Sequence, residues 1–295
     1  RSSETETGQR SRLHHDRMQM DEYLEYMGLQ NKMKKASRPV SLTDMENPEV
    51  EFVDVSFRYP GTEQYVLRNV NVKISAREST AFVGLNGSGK TTFIKLLCRL
   101  YDPTKGYILL NGVDIREYEE AQYRKLFAVV FQDFKLFDLP LGQNVAASTE
   151  YDADKVQECL KLAGFDVHSD RMKKGLDTWL YKDCDADGVN ISGGEEQKIA
   201  LARALYQNAA FLILDEPTAA LDPIAEAEVY SSFNEIVGDR TAVYISHRLS
   251  SCRFCDEIVV FDRGRIVQQG THEELVEQTN CKYYELWSAQ AKYYA

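Results

Sequence analysis

Two patterns of apolar residues divide the chain into predicted strands. In VEFVDVSFRYP, which begins at Val50, and in VLRNVNVKI (66–74), apolar and polar residues alternate, as in strands with one buried face. We expect these two segments to pair as an antiparallel hairpin. Further predicted strands are shorter, and several are apolar throughout, which is typical of strands buried on both faces. They occupy residues 79–83, 106–112, 126–132, 210–215, 241–246, 257–262 and 265–270.

Helical patterns fill most of the intervals between these strands. After Thr271 a helix is expected to begin with a capping box formed with Glu274. The last predicted helix carries aromatic residues at helical spacing, which either close over the domain or form a surface for a partner. These residues are Tyr284, Trp287, Ala291 and Tyr294. The other predicted helices lie at 115–125, over most of 140–182, at 193–206 and at 223–237.

Buried strands that alternate with helices predict an α/β fold with a mostly parallel core sheet and helices on both faces. We expect an antiparallel β subdomain at the front of this core and a helical subdomain at about residues 138–205 as an insert. In such sheets, ligands bind at the carboxyl ends of the strands. The predicted domain covers residues 50–295.

Residues 1–49 differ from the rest of the chain. Residues 1–15 are polar and lack periodicity, so we expect them to be disordered. Residues 16–29 predict one amphipathic helix. Residues 30–49 are a linker with a basic cluster, which is either simply solvated or lies near an anionic membrane surface.

One glycine-rich stretch, STAFVGLNGSGKTTFIKLL (79–97), joins a predicted strand to a predicted helix. It fits the phosphate-binding pattern G-x-x-x-x-G-K-[ST] with Gly84, Gly89, Lys90 and Thr91. Glycines let backbone N–H groups surround phosphate oxygens, and the helix adds the positive end of its dipole. Lys90 supplies a charge for the β- and γ-phosphates, and the Thr91 hydroxyl is placed to hold Mg²⁺. The stretch predicts that the chain binds a nucleoside triphosphate.

Polar side chains follow three other predicted strands. Asp215 ends the run FLILD and is the expected second partner of Mg²⁺, while Glu216 is free to orient an attacking water and accept its proton. Gln132 can reach the metal or the water through its amide. His247 can donate to a γ-phosphate. Because these residues all lie at strand ends, we expect them to surround one site.

A second anion cradle is expected at Ser192, Gly193 and Gly194, at the start of the helix that follows Ile191. The chain then has two phosphate-binding devices but one set of catalytic groups. This suits two chains that meet head to tail, each offering its cradle to the nucleotide of the other.

The net charge, the apolar runs and the cysteines of the chain argue against several classes of function. The net charge is −11, and all of the excess lies after residue 48, since residues 1–48 hold equal numbers of acidic and basic side chains. An acidic domain argues against broad contacts with a nucleic-acid backbone. The longest apolar run is six residues, far below the length that spans a bilayer, so we expect a soluble, cytosolic chain. Cys252 and Cys255 form a C-x-x-C pair without a second ligand pair nearby, which favours packing over a metal or redox role.

Together these motifs resemble the nucleotide-binding domain of an ATP-binding cassette (ABC) transporter, over about residues 49–290. By this resemblance, GLNGSGKTT is the Walker A motif, FLILDE the Walker B motif, ISGGE the signature motif and AALD (219–222) the D-loop. It implies that Glu216, His247 and Gln132 are catalytic, and that Thr91, Gln132 and Asp215 hold Mg²⁺. It also places Tyr59 where an aromatic ring stacks on adenine. The implied ATP contacts are Tyr59, Gly84, Asn86, Gly87, Ser88, Gly89, Lys90, Thr91, Thr92, Ser192, Gly193, Gly194, Glu195 and Asp222.

Two departures from the family pattern stand out. The signature motif usually ends in Gln, whereas this chain has Glu195, whose charge either weakens the cradle or points away from it. The segment DCDADG (183–188) replaces a Glu-Gly-rich loop that often precedes the signature in exporters, so contacts with the membrane domain are expected to differ there.

The layout of the N-terminal region resembles exporters, in which a helix and linker like residues 16–49 join this domain to a preceding membrane domain. The resemblance implies an ATPase motor at the cytoplasmic face of the cell membrane, whose partners are a second ABC ATPase domain and a transmembrane domain, with no nucleic acid. The alternatives are a soluble ABC-type ATPase that acts on ribosomes or DNA, and a simple P-loop kinase, which leaves the signature motif unexplained.

Overall fold

A computed structural model describes residues 20, 27–28, 33, 36, 39–42, 47–217, 233–246 and 249–294. The chain divides into two compact units, residues 1–34 and residues 35–295. In the first unit, Met20 and Met27 are helical and exposed. The rest of the predicted helix 16–29 lies outside the described residues. All the elements below belong to the second unit.

Six of the described strands form the core sheet, in the order β10-β9-β3-β8-β7-β6. Neighbouring strands run parallel except for β10, which pairs antiparallel with β9. The parallel core therefore agrees with the alternation of strands and helices in the sequence. The strands are β3 (Ser79–Val83), β6 (Phe127–Val130), β7 (Phe211–Asp215), β8 (Thr241–Ile245), β9 (Glu257–Asp262) and β10 (Arg265–Gly270).

A second, antiparallel sheet has the strand order β2-β1-β4-β5. The predicted hairpin is confirmed, since Val50 of β1 lies opposite Ile74 of β2. From Asn69 to Ile74 of β2, exposed and buried residues alternate, as the sequence pattern predicts. The strands are β1 (Val50–Phe57), β2 (Leu67–Ile74), β4 (Lys105–Leu110) and β5 (Val113–Asp114).

The described helices lie mostly where the sequence predicts them. They are α1 (Lys90–Leu97), α2 (Glu120–Arg124), α3 (Leu141–Ala146), α4 (Ala153–Leu162), α5 (Gly193–Gln207), α6 (Phe233–Val237), α7 (His272–Glu277) and α8 (Lys282–Tyr294). Short 3₁₀ turns occupy Ile115–Glu117, Gly175–Asp177 and Leu249–Phe254. The predicted capping box at the start of α7 is present, with Thr271 and Glu274 bonding reciprocally. Of the predicted helix 223–237, residues 223–232 lie outside the described part of the chain.

One helical prediction is wrong in extent. Between residues 140 and 182 only α3, α4 and a 3₁₀ turn are helical, and the rest is irregular. Gly164, just after the end of α4, adopts a positive φ angle, which is typical of the residue that ends a helix. The chain then makes isolated β-bridges, Pro140 with Trp179 and Leu180 with Val189, that satisfy its backbone without a helix.

The core sheet is covered on both faces. Ile213 and Val243 belong to a core shared with α1 and the antiparallel sheet, whereas Leu212, Leu214 and Tyr244 belong to a core shared with α3, α4 and α5. Because successive side chains of a strand point to opposite faces, a strand buried on both sides must be apolar throughout. This explains the unbroken apolar run before Asp215.

Helix α8 packs against the domain through Tyr283, the residue next to the predicted Tyr284. Tyr283, not Tyr284, is fully buried, and its hydroxyl is 2.8 Å from Nδ1 of His272. Trp287 is half-buried and stacks edge-on against the same imidazole. The helix thus closes over the domain, as one of the two interpretations predicted.

The C-x-x-C pair lies at the end of the 3₁₀ turn before β9. Cys252 and Cys255 are both buried and unoxidised. Burial raises the pKa of the Cys255 thiol to about 12, so this thiol is protonated at neutral pH. Both side chains pack in the core beside α7 and α8.

Candidate functional site

The loop between β3 and α1 has a backbone that only glycine can supply. Gly84 has φ 148° and Gly89 has φ 113°. A Cβ atom on Gly84 would lie 2.3 Å from the carbonyl oxygen of Phe261. Helix α1 begins directly after Gly89, so its free N–H groups face the loop. The local structure is the anion nest that the glycine spacing predicts.

Lys90 lies inside this loop and is only 5% exposed. Its Nζ donates hydrogen bonds to the carbonyl oxygens of Gly84, at 2.8 Å, and Leu85, at 3.2 Å. Burial lowers the pKa of the Lys90 ammonium, and the charges of Glu216 and Asp215 oppose this shift. The side chain is thus held where an anion in the nest would meet a cation.

Asp215 ends β7 and is 1% exposed. Both of its carboxylate oxygens are buried, and neither has a hydrogen-bond partner in the described part of the chain. Burial raises the pKa of Asp215 to about 6, the charge of Glu216 adds to this effect and Lys90 opposes it. The Thr91 hydroxyl is near enough to lower this pKa but does not reach hydrogen-bond geometry. A buried carboxylate with two unused oxygens suits a hard divalent cation.

Glu216 follows directly and has a strained backbone, with φ 54°. Its N–H donates to the carbonyl oxygen of Ile245 at 3.0 Å, and its own carbonyl oxygen accepts from Nε2 of Gln197 at 3.1 Å. Its Oε2 accepts from Nε2 of Gln132 at 3.0 Å. Strand β8, helix α5 and the end of β6 therefore all hold this one residue.

Gln197 was not among the predicted site residues. It lies on α5 and is 6% exposed. The other buried residues of this helix, between Ile199 and Leu205, are all apolar, so Gln197 is the one buried polar residue of α5. A buried polar side chain needs a hydrogen-bond partner, so this position was the available signal. The sequence could not show that the partner is the backbone of Glu216.

Residues of the predicted phosphate loop line one open cleft of about 350 Å³ together with Gln132 and Glu216, two of the four predicted strand-end residues. Val66, which precedes β2, also lines it and was not predicted. Its pattern is that of an ordinary strand residue, so sequence alone gave no signal for it. The lining residues are Val66, Asn86, Gly87, Gly89, Lys90, Thr91, Thr92, Gln132 and Glu216.

Besides the buried Asp215, three further predicted residues lie beside the cleft without lining it. Gly84 shapes the loop, and the Ser88 hydroxyl is buried without a partner among the described residues. Tyr59 is half-buried, and its hydroxyl is 3.0 Å from the Thr92 hydroxyl. The ring is thereby held next to the start of α1. His247 and Asp222 lie outside the described residues.

The second anion cradle caps helix α5. The Ser192 hydroxyl accepts from the N–H of Glu195 at 3.3 Å, and Glu195 Oε2 accepts from the N–H of Ser192 at 2.7 Å. Gly193 and Gly194 form the first turn of the helix. None of these residues lines the cleft around Lys90. The structure thus presents two separate candidate phosphate sites on one chain.

Comparison with known proteins gives the family. The sequence profile described as ABC transporter matches residues 67–219, more than half of the chain. The chain belongs to the ABC transporter family. Its α/β fold, with a parallel core sheet and an antiparallel β layer, is that of the ATPase domain of an ABC transporter.

Curated relatives support the same assignment. The ATP-dependent lipid A-core flippase of Salmonella typhimurium is 41% identical over 237 residues, which are 80% of this chain and 40% of the relative. The subtilin transport ATP-binding protein SpaT of Bacillus subtilis is 36% identical over 284 residues, 95% of this chain and 45% of the relative. A solved bacterial Atm1-family ABC exporter with ATP bound is 32% identical with a TM-score of 0.82, over 93% of this chain and 47% of that one.

The chain therefore spans less than half the length of these ABC proteins. Within the described ranges, no helix has both the length and the apolar character needed to cross a membrane.

Proposed function

We propose that this chain is the motor domain of an ABC exporter, which binds and hydrolyses ATP and works with a transmembrane domain. The observation that carries the proposal is the convergence of Lys90, Gln132 and Glu216 on one cleft beside the buried carboxylate of Asp215. Gln132 follows β6, Asp215 and Glu216 lie at the end of β7, and Lys90 begins α1 after the loop that follows β3; the three strands belong to one parallel sheet. The exporter relatives support the transport function.

The cleft suits the triphosphate of ATP. The nest from Gly84 to Gly89 offers backbone N–H groups, and Lys90 supplies the positive charge next to them. Tyr59 lies on the other side of Thr92, where its half-buried ring is available to an adenine. Ser88 and Thr92 contribute hydroxyl groups around the same loop.

The residues present also fit Mg²⁺. Thr91, Gln132 and Asp215 offer a hydroxyl, an amide and a carboxylate oxygen, which are the hard ligands this ion prefers. The two unused oxygens of Asp215 support this assignment. When bound, the ion neutralises charge on the phosphate oxygens.

Glu216 is the proposed general base. Hydrogen bonds from two sides hold its backbone, and Gln132 donates to one carboxylate oxygen, so the side chain is fixed on the cleft where the attacking water is expected. Positioning is the main contribution a protein makes to phosphoryl transfer, because little covalent chemistry falls to its side chains. The predicted role of His247 as a donor to the γ-phosphate stays a prediction.

The cradle at Ser192, Gly193 and Gly194 is proposed to serve the ATP of a second ABC ATPase domain. It stands outside the cleft that holds Lys90, so an intramolecular role at the same ATP has no support in the geometry. Asp222 and the D-loop are expected at the same contact. In this arrangement the domain acts at the cytoplasmic face of the cell membrane, where the transmembrane domain carries the substrate specificity.

Head-to-tail pairing makes a kinetic prediction that tests the proposal. When the purified chain hydrolyses ATP with Mg²⁺, the rate per chain should rise as the protein concentration rises, because only pairs hold complete sites. Chelation of Mg²⁺ should reduce the rate to background. The measurement is phosphate release over a hundredfold range of protein concentration. A rate per chain that stays constant over this range contradicts the pairing, and the absence of hydrolysis at every concentration contradicts the motor assignment.

The role of Gln197 gives a second prediction. Gln197→Leu removes the donor that holds the carbonyl oxygen of Glu216, and we expect the maximal rate of ATP hydrolysis to fall roughly tenfold, the worth of one buried hydrogen bond. The KM for ATP should change little, because Gln197 does not line the cleft. Gln207→Leu is the matched control, since Gln207 is an exposed residue at the end of the same helix. A variant with weaker ATP binding and an unchanged maximal rate would disprove this positioning role.

A further inference from the structure

The acidic residue at the end of the signature motif is paired within its own chain. Nη1 of Arg171 lies 3.0 Å from Oε1 and 3.3 Å from Oε2 of Glu195. Nη2 of the same guanidinium donates to the carbonyl oxygen of Asn190. Arg171 therefore joins the first turn of α5 to the segment that leads into it.

Glu195 is also bound to the serine of the cradle. Its Oε2 accepts from both the N–H and the hydroxyl of Ser192, at 2.7 Å and 2.9 Å. The carboxylate is partly exposed, at 28%. Burial acts to raise the pKa of Glu195, but the bonds from Ser192 and the charge of Arg171 outweigh it and hold this pKa below its usual range. Glu195 is thus an anion at neutral pH, and it engages the hydroxyl that a phosphate would need.

A bare carboxylate at this place would oppose the proposed use of the cradle. A triphosphate carries several negative charges, and like charges at close range repel each other strongly where water is displaced. The helix N-terminus alone contributes only about half an elementary positive charge. Another cation of this loop, Lys174, pairs with Asp185 and Asp187 instead.

We propose that Arg171 is a positioning residue that neutralises Glu195 and holds it against the helix cap, so that an acidic signature motif can still accept the phosphates of a partner's ATP. This inference rests on the proposed head-to-tail function. It assigns Arg171 to the catalytic assembly although Arg171 lies 24 residues before Glu195 and outside any phosphate-binding pattern. It also accounts for the Glu in place of Gln.

A double-mutant cycle tests the proposal in the Glu216→Gln chain, in which the ATP-bound pair is not lost to hydrolysis. Arg171→Ala, Glu195→Gln and the combination of both are compared by light scattering over a range of protein concentrations with saturating Mg-ATP. Arg171→Ala should raise the dissociation constant of the pair about tenfold or more, as expected for an uncompensated charge at a buried contact. Glu195→Gln should pair at least as tightly as the parent, because glutamine keeps an oxygen for the Ser192 N–H.

The decisive result is the combined variant. In a chain that already carries Glu195→Gln, Arg171→Ala should raise the dissociation constant of the pair by less than about threefold. Glu195→Gln then rescues the pairing that Arg171→Ala alone weakens. Arg171→Lys, which keeps the charge but not the two-pronged contact, should fall between the parent and Arg171→Ala. Lys174→Ala is the matched control and should leave pairing unchanged.

Separate outcomes distinguish the two proposals. If Arg171→Ala weakens pairing by the same factor in the Glu195 chain and in the Glu195→Gln chain, the neutralising role is overturned, while the pairing itself stands. If no variant pairs with Mg-ATP, the head-to-tail function fails and this role of Arg171 fails with it. Binding of a fluorescent ATP analogue by each variant, together with its thermal unfolding, identifies any variant that has lost its own nucleotide site or its fold, and Arg171→Lys then takes the place of Arg171→Ala in the cycle.

Discussion

Glu216→Gln is expected to slow ATP hydrolysis by a factor of roughly 10²–10⁴, the usual contribution of a general base. Glutamine has the same shape, so Gln132 can still donate to its side-chain oxygen and Gln197 to its backbone. ATP binding should persist, since Lys90 and the glycine nest are untouched. Phosphate release and equilibrium binding of ATP measure the two effects on one sample.

The same variant reports on pairing. With Mg-ATP its mass in light scattering should shift from 33.7 kDa to twice that value, because the ATP-bound pair no longer reopens by hydrolysis. Glu158→Gln, an exposed site on α4, is the control and should hydrolyse ATP normally. Retention of more than a tenth of the parent activity in the Glu216 variant would refute its role as general base. A variant that binds ATP but stays at one chain mass would point to a different partner chain.

Lys90→Met is expected to weaken ATP binding by roughly a hundredfold or more, through loss of a charge-assisted contact with the phosphates in a buried site. Methionine is unbranched and only one atom shorter than lysine, so the loop should keep its packing. The nucleotide-free protein should unfold at the same temperature or higher, because burial already disfavours the Lys90 ammonium. Isothermal titration with ATP and thermal unfolding measure these effects.

Its control is Lys161→Met, since Lys161 lies exposed near the end of α4. ATP should raise the unfolding temperature of the control as it does that of the parent, and should leave that of Lys90→Met unchanged. ATP affinity within threefold of the parent in the Lys90 variant would contradict the assignment of the glycine loop as the triphosphate site.

Sequence predicts the parts of this protein whose causes are local. Unbroken apolar runs indicate strands that are buried on both faces. Asp215 and Glu216 are easy to recognise because they end such a run. The phosphate loop is equally visible, since its glycines and Lys90 have a fixed spacing. Parallel strands then bring Gln132 and Glu216 to one edge of the sheet, which the order of strands and helices implied.

Contacts between distant segments were not visible in the same way. Gln197 reaches Glu216 only because α5 packs beside the end of β7, and no local pattern encodes that packing. Arg171 reaches Glu195 through a loop that was predicted to be helical, so its side chain could not be placed. The shift from Tyr284 to Tyr283 in α8 has a similar origin, because the phase of a short helix is set by the groove it fills.

Helix α5 has 15 residues, so at 1.5 Å per residue it is a rod about 22 Å long. Its first turn is the surface proposed to meet a neighbour's nucleotide, and Gln197 on its second turn binds the backbone of Glu216, the proposed general base. A rod cannot tilt at one place and stay still at the other. In a closed pair, the position of each chain's Glu216 then depends on whether a nucleotide is bound at the first turn of its α5. In the proposed head-to-tail pair, the two α5 helices connect each nucleotide to the general base of the opposite chain, so the two ATP sites are coupled to each other.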